Sequence, residues 1–262
     1  MPHLHRSLLR RYRLFAPRLL RIGLVLLVLL LLCDGIAAQH LPQIQAALTL
    51  NIPKPLQQGG IARSGISLEE QQTVLASDTF QRTDQAYWGT SSSGQSWLAD
   101  AQTDRNFAVS HAAGLVNAAP DCSDCEAILG PVVADVEVRF SAALTSYNAS
   151  ALCAILRWND ANNLYKMELD GQTLTVWRVM DGMATPLQSI AFPARAGALY
   201  TFRFQAVGSQ LSAMAWPADQ PSPTAWQISV LDSALNAGQA GIGVLVQHEA
   251  QAKITAYQEV AL

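Results

Sequence analysis

The chain has 262 residues, half of them hydrophobic, with a formal net charge of -3. That charge is unevenly spread: residues 1–38 hold six arginines and one acid, and the remainder has 11 basic and 19 acidic residues, a net of −8. An acidic body repels phosphate backbones, which argues against nucleic acid as a partner.

The first predicted element is an apolar segment. Arginines at positions 6, 10, 11, 13, 18 and 21 precede an unbroken run from Ile22 to Leu32, and Gly35-Ile36-Ala37-Ala38 follows. Small residues there suit a signal peptidase. The 11-residue run would rise about 16 Å as a helix, against a hydrocarbon core of about 30 Å. This favours a cleaved signal peptide. Extending the run to Ala38 makes it long enough to span, with Asp34 near its outer end, so an uncleaved single-pass anchor is the alternative. In both cases the arginines stay cytoplasmic and the C-terminal bulk is exported.

Residues 39–76 read as a linker. Pro42, Pro53, Pro55 and Gly59-Gly60 punctuate them without a sustained period. Ser67 and Glu70 form a capping box, which predicts a short helix over Ser67–Ala76. From residue 77 to 262 the pattern becomes that of an all-β sandwich, with short period-two runs separated by turn residues. Val132–Phe140 reads as one strand, with Val132, Ala134, Val136, Val138 and Phe140 on one face and Asp135, Glu137 and Arg139 on the other. Ala151–Trp158 alternates Leu152, Ala154, Leu156 and Trp158 against Cys153, Ile155 and Arg157. Leu164–Leu169 and Leu174–Val179 form a hairpin about Asp170-Gly171, and Asp181-Gly182 marks the next turn. Thr201–Val207, Leu211–Trp216, Gly241–His248 and Lys253–Val260 are further strands. No long amphipathic helix is predicted in this region.

The order of several short motifs carries a resemblance. Asp78-Thr79-Phe80-Gln81-Arg82 is followed by Trp88-Gly89-Thr90 and Gly94-Gln95-Ser96-Trp97. Leu156-Arg157-Trp158, Asn163-Leu164-Tyr165 and Leu174-Thr175-Val176-Trp177-Arg178-Val179 come next. Tyr200–Phe204, Trp216, Trp226, Asp232, Ala237–Gly243 and Tyr257–Val260 close the series. Residues 77–262 resemble the concanavalin A-like lectin/glucanase superfamily, and within it the secreted bacterial laminin-G-like and 3-keto-disaccharide-hydrolase-like jelly rolls. The resemblance implies a two-sheet antiparallel jelly-roll sandwich. Such folds host lectins, binding modules and glycosidases alike.

The glucanases of that superfamily carry Glu-x-Asp-x-Glu. Here Glu168-Leu169-Asp170 begins the pattern, but Gly171-Gln172 follows. Asp135 and Glu137 also share a strand face, beside Arg139. Retaining hydrolysis needs two carboxyls about 5–5.5 Å apart, so Asp135 with Glu137, or Glu168 with Asp170, are the two candidate catalytic pairs. The broken motif argues against catalysis. Sugar rings stack on aromatic faces while polar side chains take the hydroxyls, which makes Trp88, Trp97, Arg157, Tyr165, Trp177 and Arg178 the candidate ligand-binding residues. Each also has a plain role as core. Cys122-Ser123-Asp124-Cys125 lacks two further metal ligands at sensible spacing, and outside the cytoplasm reads as a small disulfide, Cys122–Cys125, pinning the loop before Val132. Cys153, mid-strand, reads as a buried thiol. No cofactor is required, but the resemblance allows a structural calcium, with Asp78 and Asp232 as candidate ligands.

Three functions fit these features. The leading one is an exported, non-catalytic surface module for glycan or another extracellular polymer. The others are a glycoside hydrolase with an atypical carboxylate pair, and a structural or protein-interaction domain of the cell envelope. Exposure of Trp88, Trp97 and Trp177 separates the first from the last.

Overall fold

The computed structural model describes residues 72–118 and 124–262. The apolar segment 1–38 and most of the linker lie outside the described residues.

Among the described residues, short alternating runs between turn residues produce a chain of strands with a single four-residue helix. In order they are β1 (Val74–Asp78), β2 (Gln85–Ala86), β3 (Leu98–Ala99), α1 (Asp100–Thr103), β4 (Phe107–Ser110), β5 (Ala113–Asn117), β6 (Cys125–Val133), β7 (Val136–Leu144), β8 (Ala151–Asp160) and β9 (Asn163–Leu169). β10 (Thr173–Met180), β11 (Met183–Ala191), β12 (Leu199–Val207), β13 (Gln210–Pro217), β14 (Ile228–Leu231), β15 (Gly238–Leu245) and β16 (Gln251–Ala261) follow. Every pairing is antiparallel. One sheet has nine strands in the order β14-β13-β12-β7-β16-β5-β4-β2, with β1 added on β16. The other has seven, in the order β11-β10-β9-β8-β15-β6-β3. The two sheets pack as a sandwich about one main apolar cluster, to which Phe202 and Phe204 of β12, Leu152 and Leu156 of β8 and Val138 of β7 contribute.

The period-two reading gives the right strands over most of 151–261 but not β11 and β14, and four further details differ. First, the stretch ending at Ala76 is not helical where it is described: Val74–Asp78 is strand β1, paired with β16. Ala76 and Asp78 are buried on its inner side, so the sandwich begins before position 77. Second, Val132–Phe140 is not one strand. The chain turns at Ala134-Asp135 and passes from β6 in one sheet to β7 in the other. The Asp135 carboxylate accepts the Gly208 N–H at 2.8 Å and fixes that turn. Val132 is left exposed, while Val136, Val138 and Phe140 keep the inward face expected of them. Third, Cys125 does not sit in a loop but opens β6, where it is disulfide-bonded. Cys122 lies outside the described residues.

The fourth difference is in β8. Leu156 and Arg157 occupy one register step against β15: Gln239 faces Trp158 and Gly241 faces Ile155, so β8 carries one residue more. Arg157 sits at φ 50°, the left-handed region. Such a bulge reverses the side-chain phase beyond it. Arg157 therefore turns inward and is buried, and Trp158 turns outward to pack with Ile128, Ile155, Leu164 and Val179. Strict alternation assigns these two residues the other way round.

Candidate functional site

The outer face of the seven-stranded sheet is built by cross-strand register. One row runs Glu126, Gly243, Cys153, Glu168, Thr175, Ser189 across β6, β15, β8, β9, β10 and β11. The adjacent row runs Ile128, Gly241, Ile155, Lys166, Trp177, Pro186. Residues directly opposite on neighbouring strands share a face, so these twelve positions tile one surface. In its middle β15 supplies only glycines. A Cβ on Gly243 would stand 3.1 Å from that of Cys153 and 3.2 Å from the Ile155 Cδ1. The glycines keep the floor low, and a pocket of about 140 Å³ opens there, with Glu126, Cys153, Ile155, Leu164 and Lys166 in its wall.

Charge in this pocket centres on Lys166. Its Nζ lies 2.9 Å from the Glu168 Oε2 and 3.9 Å from an Asp124 oxygen. Burial opposes its charge, but the Asp124 and Glu168 carboxylates beside it outweigh that and raise its pKa, so it stays an ammonium. Beneath it the Cys153 thiol donates to Glu168 over 3.8 Å. Burial first, and Glu168 second, push that thiol well above its usual range. A thiol held neutral in this way is no nucleophile. At the other end of the row the Trp158 indole N–H donates to Glu126 at 2.8 Å. Trp177 is half-buried between Lys166 and Pro186, and its Nε1 finds no partner.

The sequence candidates divide sharply between this face and elsewhere. Trp177 is the one aromatic candidate that lies on it. Trp88 and Trp97 are fully buried and stack edge-to-face with each other at 4.8 Å, within a cluster that includes Phe80, Phe107 and Tyr257. They are core, because the sandwich closes at that point on large rings and each indole N–H is satisfied inside, by Leu115 O and by Asp78. Tyr165 is also fully buried, with its hydroxyl donating to Asp232 at 2.5 Å. Arg157 is buried and donates to the carbonyls of Ala134, Leu235 and Gly208. Arg178 is half-buried on the inner parity of β10 and pairs with Asp232 at 2.8 Å.

The proposed carboxylate pairs are not assembled. Asp170 accepts the N–H groups of Gln172 and Thr173, which makes it the hairpin cap and leaves Glu168 with Lys166. Asp135 holds its turn, whereas Glu137 is buried on the outer side of the other sheet between Arg139 and Arg203. Glu137 is the buried member of a triad whose two arginines are partly exposed. Glu126 and Glu168 share the groove, on strands three spacings apart, about 14 Å between backbones.

Asp78 accepts five kinds of donor: the Arg82 guanidinium, the Trp97 indole, the Phe80 N–H, and the Ser92 N–H and hydroxyl. Asp232 likewise takes Tyr165, Arg178 and the Ala234 N–H. Calcium needs a shell of oxygens, and among the described residues no group of three or more His, Cys, Asp or Glu could hold a metal ion.

Sequence reasoning missed Glu126, Lys166 and Trp158 as parts of a site. Lys166 and Glu168 were legible in principle, as the polar positions of a strand whose other face is apolar. Trp158 was not, because the bulge decides its side.

Comparison with solved structures gives the fold. A xylan β-1,4-xylosidase from Bacillus halodurans aligns over 70% of this chain and 38% of its own, at a TM-score of 0.52 and 9% identity. The fold is a jelly roll. A carbohydrate-binding module from Bacillus subtilis aligns over 70% of this chain and 91% of its own, at a TM-score of 0.46 and 15% identity. A β-1,3-glucanase from Mycobacterium marinum aligns over 71% and 98%, at 0.47 and 11%. The chain thus spans well under half the length of the xylosidase. No family model matches the sequence, and no curated protein matches it.

Proposed function

We propose that this protein is an exported, non-catalytic binding module of the concanavalin A-like type, taking a glycan in the groove of its seven-stranded sheet. The observation that carries the reading is the composition of that groove. Half-buried Trp158 and Trp177 stand among Glu126, Lys166 and Glu168, over buried Ile128 and Ile155 and a floor lowered by Gly241 and Gly243. Sugars offer the same alternation of C–H patches and hydroxyls, and concave sites of this mixed kind are where small ligands settle. The glucanase pattern is broken at Gly171-Gln172, and Glu168 is paired with the Lys166 ammonium at 2.9 Å. Export rests on the arginine-flanked apolar segment.

The full chain tested against a panel of soluble neutral oligosaccharides should bind at least one without releasing reducing ends. Trp177→Ala should weaken that binding about ten-fold, as loss of an anchoring aromatic does. Folded protein that retains no oligosaccharide, or Trp177→Ala protein that binds as the native chain does, would dismiss the groove as a glycan site. Turnover of a substrate, abolished by Glu168→Gln, would establish the hydrolase reading instead.

A further inference from the structure

The opposite face of the sandwich carries a different charge pattern. The strands of the nine-stranded sheet send one acid outward, Glu137, and three cations, Arg139, Arg203 and Lys253. This is a local excess of positive charge on a strongly acidic body. Arg139 and Arg203 stand directly opposite each other on β7 and β12, a like-charge juxtaposition that is unfavourable by itself. Glu137 compensates one of them. It is 1% exposed and accepts the Arg203 Nε and Nη2 at 2.9 and 2.7 Å, and the Arg139 Nε as well. Arg139 and Arg203 keep 35% and 26% of their side-chain surface open. Arg139 has its Nη2 on the Gln72 side chain at 3.0 Å. The Nη1 groups of both arginines have no protein acceptor among the described residues. The loop after β13 forms a wall beside them, with Trp226 half-buried and its ring 5.0 Å from the Arg203 guanidinium.

Two guanidiniums held by one buried carboxylate form half of a balanced cluster. A structural triad of net positive charge gains from a second anion, and the planar fork of arginine matches a carboxylate best. We propose that this face is a second binding site, for a carboxylate-bearing glycan such as a polyuronate. One uronate carboxylate would bridge the two free Nη1 edges, and the sugar would lie along Trp226. The site is separate from the groove by the thickness of the sandwich, and its ligand class is opposite in charge preference to that of the acid-rich groove.

The test uses the full chain with trigalacturonic acid, and the fully methyl-esterified trimer as the matched neutral probe. Binding measured by calorimetry is expected for the acid and at least ten-fold weaker for the ester. Arg139→Gln leaves Arg203 on both oxygens of Glu137, so the fold is kept, and it should weaken the acid about ten-fold. Trp226→Ala, on an exposed loop, should weaken it several-fold at an unchanged melting temperature and serves if Arg139→Gln protein does not fold. Equal binding of acid and ester, no binding of the acid by folded native chain, or native affinity in a folded variant would overturn the proposal.

Discussion

Glu259 is the residue whose chemistry is most at odds with its surroundings. It points into the core from β16, fully buried, beside Gly130 of β6, and neither carboxylate oxygen has a partner. Burial pushes its carboxyl up from 4.5 to about 8. The folded chain therefore holds a proton that the unfolded chain releases, and the sign follows from linkage. This stabilisation is complete below about pH 4.5 and is lost as pH rises through about 8. Melting temperature should fall between pH 5 and 8.5 in the native chain, and Glu259→Gln should remove most of that slope. Parallel melting curves for the two proteins across this window would show that Glu259 is not the group responsible.

Asp78 is the opposite case at the same scale. Burial raises its pKa, but hydrogen bonds from Arg82, Trp97 and the Phe80 N–H outweigh that and hold it below the usual carboxylate range. Its contribution is present above pH 3.8 and is lost as pH falls through the folded-state value. Asp78→Ala strands the Trp97 indole and leaves the Arg82 guanidinium only the Trp88 carbonyl. Removing one partner from a buried pair costs about 3 kcal/mol or more. Denaturant titration should show that loss, and a midpoint within error of native would contradict the role of Asp78 as the tie between β1 and the aromatic cluster.

At the scale of elements, β8 shows what the sequence made legible and what it did not. The alternation Leu152, Ala154, Leu156 places one face inward, as observed. Most strands from β8 to β16, and the hairpins at Asp170-Gly171 and Asp181-Gly182, were legible for the same reason. The bulge at Arg157 was not, because a positive φ at an arginine has no local sequence mark. Its cause is tertiary: one guanidinium meets three carbonyls from three separate loops, of Ala134, Gly208 and Leu235. That single inserted residue hides Arg157, and it brings Trp158 onto the face where Glu126 waits. The aromatic candidates failed similarly. Pattern alone gives a tryptophan near a turn no sidedness, and Trp88 and Trp97 turned inward to close the core. Arg157→Ala would leave the three carbonyls short of a donor, at about 3 kcal/mol together, or roughly 6–12 °C in melting temperature for a domain of this size. It should also weaken any ligand held by Trp158. A loss of stability with no effect on binding would separate the bulge from the groove.

At the scale of the whole molecule, the first and last strands close the sandwich on each other. β1 pairs with β16 from Val74–Val260 to Asp78–Tyr257, with the Thr73 carbonyl accepting the Ala261 N–H. Ala76 fills the main core, and Asp78 anchors Trp97. β1 also lies beside Glu259, since Ala76 is its partner in register. Stripping it would open a protonated core acid to water and leave β16 with an unpaired edge segment, a template for pairing between chains. Contacts of such long sequence separation form late, after the large loop-closure cost has been met. A chain begun at Gln72 should therefore fold cooperatively and remain monomeric. One begun at Thr79 should fail to reach a cooperative transition, or should associate through β16. The two chains differ by seven residues, 72–78, that carry little of the polar groove. If the shorter one melted as sharply and at the same temperature as the longer, β1 would be an ornament on the sandwich and the domain would begin after it.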